Sequence, residues 1–233
     1  GTDGDTDKVF WNTSHADFYA DGGSGGVGIF REDSGWTPNG TVNVQITADG
    51  PCTTDCYVDP AGNDANFGTA ASPFKTIQKG VDTVSAGGTV HVADGTYAEQ
   101  VVVAGKALTL VGASTAAIIQ APDTVPACFT TSAAIMPIVC IKNDASVTVD
   151  TFTVDGAGKG NANVRFVGVA FRNAAGTVQN STIKDIRNTP FDGAQHGVAI
   201  YAYNTDEVER TINVYDNTIT GFQKNAMALN AGD

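Results

Sequence analysis

The feature that most constrains this chain is a repeat. Ala170-Phe171 recurs as Ala199-Ile200 and again as Ala228-Leu229, 29 residues further on each time. Around a second anchor, Val149 with Thr153-Val154 recurs as Val178 with Thr182-Ile183 after 29 residues, and as Val214 with Thr218-Ile219 after 36. The seven additional residues of that last step are assigned to the stretch between Ala199 and Val214, around residues 204–210. A unit this short cannot bury an apolar face alone, so successive units must stack. The anchors are short β-branched runs separated by Gly, Asp and Asn, with no helical pattern between them. Parallel strands ordinarily need helical crossovers. A coil that returns one layer up does without them, and a sandwich would lack the fixed period. The expected class is therefore all-β, a parallel β-helix (solenoid). Asn180, Asp216 and Asn217 fall at its turns, where such residues accept a left-handed backbone.

The coil has a legible entrance. Ser72 followed by Pro73 reads as a helix cap and first turn. Phe74, Ile77, Val81 and Val84 then recur at spacings of three and four, an apolar stripe that predicts a short N-terminal capping helix over residues 73–84, closed by Gly87-Gly88. Short strands are expected at residues 89–92, 100–103, 107–111 and 117–119. Residues 51–233 are assigned to the β-helix and residues 1–50 to a separate segment, either a linker with a strand-rich cover or the end of a preceding domain. In that segment Asp3, Asp5 and Asp7 alternate as a calcium loop would begin. Lys8 and Ser14 then break the pattern where glycine and a bidentate acid belong. Val9-Phe10-Trp11 suggests a strand, the glycine-rich residues 22–28 a loose turn, and residues 41–47 alternate as a half-buried strand; His15 lies unread among them. The repeat reaches Asp233 in mid-unit with no amphipathic cap, so the expectation is that the protein continues or that copies stack end to end.

Charge and cysteines bound the partners. A net charge of -12 excludes nucleic acid, whose phosphates need a basic surface. It also disfavours polyanionic glycans unless a cation or a local basic patch reverses the field. No apolar run is long enough to span a membrane. Four cysteines fall into two local pairs, Cys52 with Cys56 and Cys128 with Cys140, which read as two disulfides in an oxidising, extracellular or cell-surface setting. A metal site is the rival, although none of the three histidines stands at ligand spacing.

Two groups of residues are candidate sites. Phe191, Asp192, His196, Tyr201 and Tyr203 gather near the long turn, and aromatics beside carboxylates suit sugar contact; Tyr201 and Tyr203 could equally alternate out of a strand beside inward Ile200 and Ala202. Asp59, Asn63 and Asp64 are candidate cation ligands, or form Asx turns. His91, between Val90 and Val92, is expected to point outward. Asp155 and Lys184 stand 29 apart and are expected to stack as an ion pair between rungs.

Several motifs between Tyr57 and Gly112 carry a resemblance: Val58-Asp-Pro-x-Gly-x-Asp64, Gly68-Thr, Pro73-Phe-x-Thr-Ile-Gln78, Gly88-Thr-Val-His-Val92, Gly95-Thr-Tyr97 and Leu108-x-Leu-x-Gly112. This run, roughly a quarter of the chain, resembles the N-terminal motif of pectate-lyase-like right-handed β-helix proteins, shared by a family of uncharacterised exported proteins and by family-nine polysaccharide lyases. The resemblance implies a right-handed parallel β-helix and its entry cap, and the lyases add calcium held by clustered aspartates with a lysine or arginine as base. The chain departs there. Asp144, Asp150, Asp155, Asp185, Asp192 and Asp216 are spread out, and Lys184, Arg187 and Lys224 have no acid pair beside them. The motif builds the first coils and carries no catalytic group, and fold does not fix function. The expected function is a non-catalytic extracellular or cell-surface module with a structural, adhesive or assembly role, its partners polysaccharide or copies of itself. The alternative is the N-terminal part of a carbohydrate-active enzyme such as a calcium-dependent polysaccharide lyase.

Overall fold

A computed structural model of the chain describes residues 50–231. The readings made for residues 1–49, including the strand at 41–47 and the alternating aspartates, lie outside the described residues.

Three parallel sheets form the walls of a parallel β-helix. The first contains Asp55–Val58, Thr89–Val92, Ala107–Gly112, Ser146–Asp150, Ala175–Gln179 and Ile212–Tyr215. The second contains Gly95–Ala98, Ala117–Gln120, Thr153–Asp155, Thr182–Lys184 and Thr218–Thr220. The third contains Val101–Ala104, Ala134–Lys142, Phe166–Arg172, Val198–Asn204 and Asn225–Ala231. Each strand pairs with its equivalent one coil away, so like positions stack into rows. Cys56, Val90, Leu110, Val149, Val178 and Val214 form one inward row. Tyr97, Ile119, Val154, Ile183 and Ile219 form another. Alternation along each strand sends every second side chain inward, and stacking buries it against the coils above and below. Among the described residues nothing stacks on the last coil, where Val214 and Ile219 are half-buried and Leu229 is 65% exposed.

The repeat locates the coils, with one correction. Val149, Val178 and Val214 pair as expected, and so do Thr153, Thr182 and Thr218. In the third sheet, however, Ala170 lies against Tyr201 and Tyr201 against Ala228. The apparent match of Ala170 to Ala199 is two residues short. Small residues on adjacent inward and outward positions allow two alignments, and packing selects the one that keeps Val169 over Ile200. The extra residues are accordingly divided: two precede Val198 and five lie between Tyr201 and Val214.

The corners show why certain residues stand there. Gly105 (φ 69°), Asn143 (φ 55°) and Asn173 (φ 47°) follow equivalent strand ends of the third sheet, all left-handed. After the first sheet, Thr151 (φ 61°), Asn180 (φ 50°) and Asp216 (φ 55°) do the same. Asn217 instead caps the neighbouring coil, its Oδ1 accepting from the Ser181 amide at 2.9 Å.

The helix at the entrance, α1, runs only over Ile77–Thr83. The expected cap at Ser72 is wrong. Phe74 is in an extended segment bridged to Val58, donating its amide to the Tyr57 carbonyl, and a residue so bonded cannot open a helix. The cap is Thr76, whose Oγ1 accepts from the Lys79 amide at 3.3 Å. The Glu99 carboxylate takes the amides of Ile77 and Gln78, both at 2.9 Å, and Asp64 takes those of Lys75 and Thr76. The Gln78 side chain then accepts from the Val102 amide and donates to its carbonyl, so α1 closes the edge of the first coil as a strand would. Lys106 Nζ completes the other end on the Val81 and Val84 carbonyls.

Both disulfides form, with Cα atoms 5.2 Å apart for Cys52–Cys56 and 6.6 Å for Cys128–Cys140. The second ties a short hairpin, Phe129–Thr130 against Ala134-Ile135, over the outer face of the third sheet. There Ile135, Val167, Ala170 and Tyr201 form a second apolar cluster outside the coil. Replacing Cys128 and Cys140 by serine is expected to cost about 3 kcal/mol, because the bridge closes a loop of a dozen residues in the unfolded chain. The shift of the urea midpoint measures it, and an unchanged midpoint would show that the hairpin holds without its clasp.

Candidate functional site

The five residues expected near the long turn do not form one cluster. Phe191 is 60% exposed on a corner loop. Asp192, on the same loop, accepts from the Asn188 and Gln223 side chains and the Ala194 amide, each at 2.8 Å. Those bonds, the one from Asn188 first, hold its carboxyl below the usual range. Tyr201 and Tyr203 alternate outward from the third sheet and stack on each other, with centroids 6.2 Å apart. Phe129 of the hairpin stacks on Tyr201 at 6.3 Å, leaving Tyr201 8% exposed, and Arg172 lies over the Tyr203 ring at 5.2 Å.

His196 and Tyr201 do share a cleft, at the edge of this aromatic ladder. Its floor is Val167, Val198, Tyr201 and Ala228, and its rim carries Arg165, His196, Lys224 and Asn230. No carboxylate lines it. The floor continues the apolar cluster beyond the hairpin, so hydrophobic strand residues are left facing a concave surface. His196 Nδ1 is buried there with no hydrogen-bond partner. Burial holds its imidazole below the ordinary value, Asp192 pulls it back and Arg165 pushes it further down. Arg165 and Lys224 are exposed and make no ion pair with any described residue. In a chain this acidic, such a local excess of positive charge stands out against the overall field. Sequence reasoning missed Arg165 and Asn230, which are brought in from neighbouring coils and carry no motif.

Most of the acidic residues elsewhere are bonded to the chain itself. Asp59 accepts from the Ala61 amide at 2.8 Å and Asn63 from the Ala65 amide at 2.9 Å, both Asx turns. Asp64 faces α1 and takes the Thr76 hydroxyl as well as two amides. Asp155 pairs with Lys184 at 3.1 Å across one coil, and Asp185 with Arg187 at 3.2 Å. Asp144 and Asp206 both hold Arg210. His91 points outward, 3.0 Å from Asp55 and stacked on Tyr57 at 4.7 Å. Among the described residues no three His, Cys, Asp or Glu side chains converge to hold a metal ion. The described residues do not fit a calcium centre of clustered aspartates.

Asp150 illustrates the structural use of these acids. Burial pushes its carboxyl up, but bonds from Asn180, Gln179 and Thr151 reverse this and hold it below the usual range. A lowered folded value means stability present at neutral pH and lost as pH falls through that value. Asp150→Asn should therefore destabilise the chain at pH 7 and lose that difference progressively at acid pH, as the carboxyl takes up its proton. Urea unfolding at neutral and acid pH tests this, and a difference independent of pH would refute it.

A family model described as "Protein of unknown function (DUF1565)" matches residues 60–231. No curated protein and no solved structure matches the chain. No helix among the described residues is long and apolar enough to cross a membrane.

Proposed function

We propose, since the chain belongs to the DUF1565 family, that it is a non-catalytic β-helix module of an extracellular or cell-surface protein, with a structural and adhesive role. The observation that carries this reading is what its carboxylates do. Most of them cap turns, hold α1 or pair with a cation one coil away, as Asp59, Asp64, Glu99 and Asp155 do. An acid so occupied is a poor general base or metal ligand, because using it would undo the coil. The two disulfides support an oxidising setting. The aromatic ladder of the third sheet and its cleft supply the contact surface. The pectate-lyase resemblance enters as kinship of architecture: Thr76, Gln78, Gly95 and Tyr97 of the shared motif all serve the first coil.

The test is direct. The chain, incubated with calcium and oligouronides, should give no absorbance from unsaturated products, and with neutral oligosaccharides no new reducing ends. Turnover that is lost in Lys184→Ala or Arg187→Ala would overturn the reading in favour of a lyase.

A further inference from the structure

The cleft has a counterpart on the same molecule. At one end of the strand Val198–Asn204 lies the cleft; at the other, the corner of residues 205–210 projects from the coil. That corner is built rather than loose. Arg210 binds Asp144, Asp206 and, at 2.7 Å, Asn204, while Asn204 Nδ2 donates to the Asp206 and Val208 carbonyls at 3.1 and 3.0 Å. With the inner groups satisfied, the corner presents Glu207, Val208 and Glu209 to solvent. Val208 is 55% exposed, and neither glutamate has a hydrogen-bond or ion-pair partner among the described residues. A valine between two carboxylates is the complement of an apolar floor between two cations.

We infer that this face is a lateral contact between copies of the chain, the Glu207-Val208-Glu209 corner of one copy seated in the cleft between Arg165 and Lys224 of the next. The inference rests on the proposed reading of the module as non-catalytic and names the partner of its contact surface. Seven strand residues separate the two features by about 20 Å, so a copy cannot fill its own cleft. Two different patches meet, so the contact is heterologous and propagates into rows instead of closing on a two-fold axis. Copies each bearing -12 repel at long range, and about 0.15 M salt screens that repulsion within some 8 Å while leaving close cation–carboxylate contacts in place.

Sedimentation of the whole chain tests it. At about 0.15 M salt the weight-average mass should climb past the dimer as the chain approaches about 1 mM, and fall back towards the monomer in about 1 M salt. The charge reversals Glu207→Lys with Glu209→Lys, and Arg165→Glu with Lys224→Glu, should each leave the monomer alone. An equimolar mixture of the two should recover the mass, since each then offers the other a matched charge. All four positions are exposed, and an unchanged thermal midpoint confirms that the reversed chains fold. A wild-type monomer at about 1 mM, association untouched by both reversals, or failure of the mixture overturns the inference. Stacking through the apolar edge at Met227 and Leu229 would give the second result. None of these outcomes bears on the turnover assay, so the module reading stands or falls separately.

Discussion

Phe171→Ala is expected to lower the thermal midpoint by roughly 10 °C, from a loss of about 3–5 kcal/mol in a chain of this size. Phe171 is 1% exposed and belongs to the inward row Val103, Ile141, Phe171, Ala202 and Leu229. The small neighbour at Ala202 leaves the ring its room. A Cβ added at Gly176 would stand 2.9 Å from the ring, so the space is filled from the side as well. Truncation removes a large apolar surface and leaves a void between coils that cannot collapse, because hydrogen bonding fixes their spacing. Ala202→Phe would not compensate, since its Cβ belongs to the next layer. Calorimetry of Phe171→Ala gives the answer, and a fall of only a few degrees would mean that this coil packs more loosely than its burial implies.

The second large effect is at Gly112, the last residue of the shared motif. A Cβ there would lie 2.2 Å from the Thr151 carbonyl oxygen and 3.0 Å from the Ala117 Cβ. The nearer atom is backbone of the adjacent coil and cannot swing aside. Gly112→Val should therefore cost about 3 kcal/mol or more, by prising apart two coils that hydrogen-bond nearby. Gly87 is the control. A side chain there meets nothing within 4 Å, but the backbone is left-handed at φ 85°, so Gly87→Ala should cost only about 1 kcal/mol. Equal losses at the two positions, measured by denaturant unfolding, would refute the close-approach argument.

These positions also show how far the sequence could be read. The strands at 89–92 and 107–111, the latter running one residue further to Gly112, and the coils anchored on Val149, Val178 and Val214 are legible, because inward β-branched residues impose a register that turns cannot override. The helix start was misplaced by four residues. Ser72-Pro73 satisfies every local rule for a cap, yet Glu99 and Asp64 supply the acceptors that fix the helix at Thr76, and both act through space. The third-sheet register slipped by two for a related reason: Ala-Phe and Ala-Ile are locally alike, and only stacking distinguishes them. The cleft was half-visible. His196 and Tyr201 stand on one strand and its approach, whereas Arg165 and Lys224 arrive from the coils on either side. Sites on a solenoid are assembled across the repeat, so one unit never contains all of one.

The stacking of strands also sets the response to force. The strands of the three sheets run across the axis, and the hydrogen bonds between coils run along it. A pull along the axis therefore loads one coil's bonds at a time, and the coils should peel in steps at low tension. A pull across the axis loads a strand lengthwise and strains many bonds at once in shear. Cys128–Cys140 closes a loop within one coil, so it would shorten a single step without stopping the peeling. A module built this way resists load best when anchored through its flanks, the direction in which contacts along the third sheet would hold it.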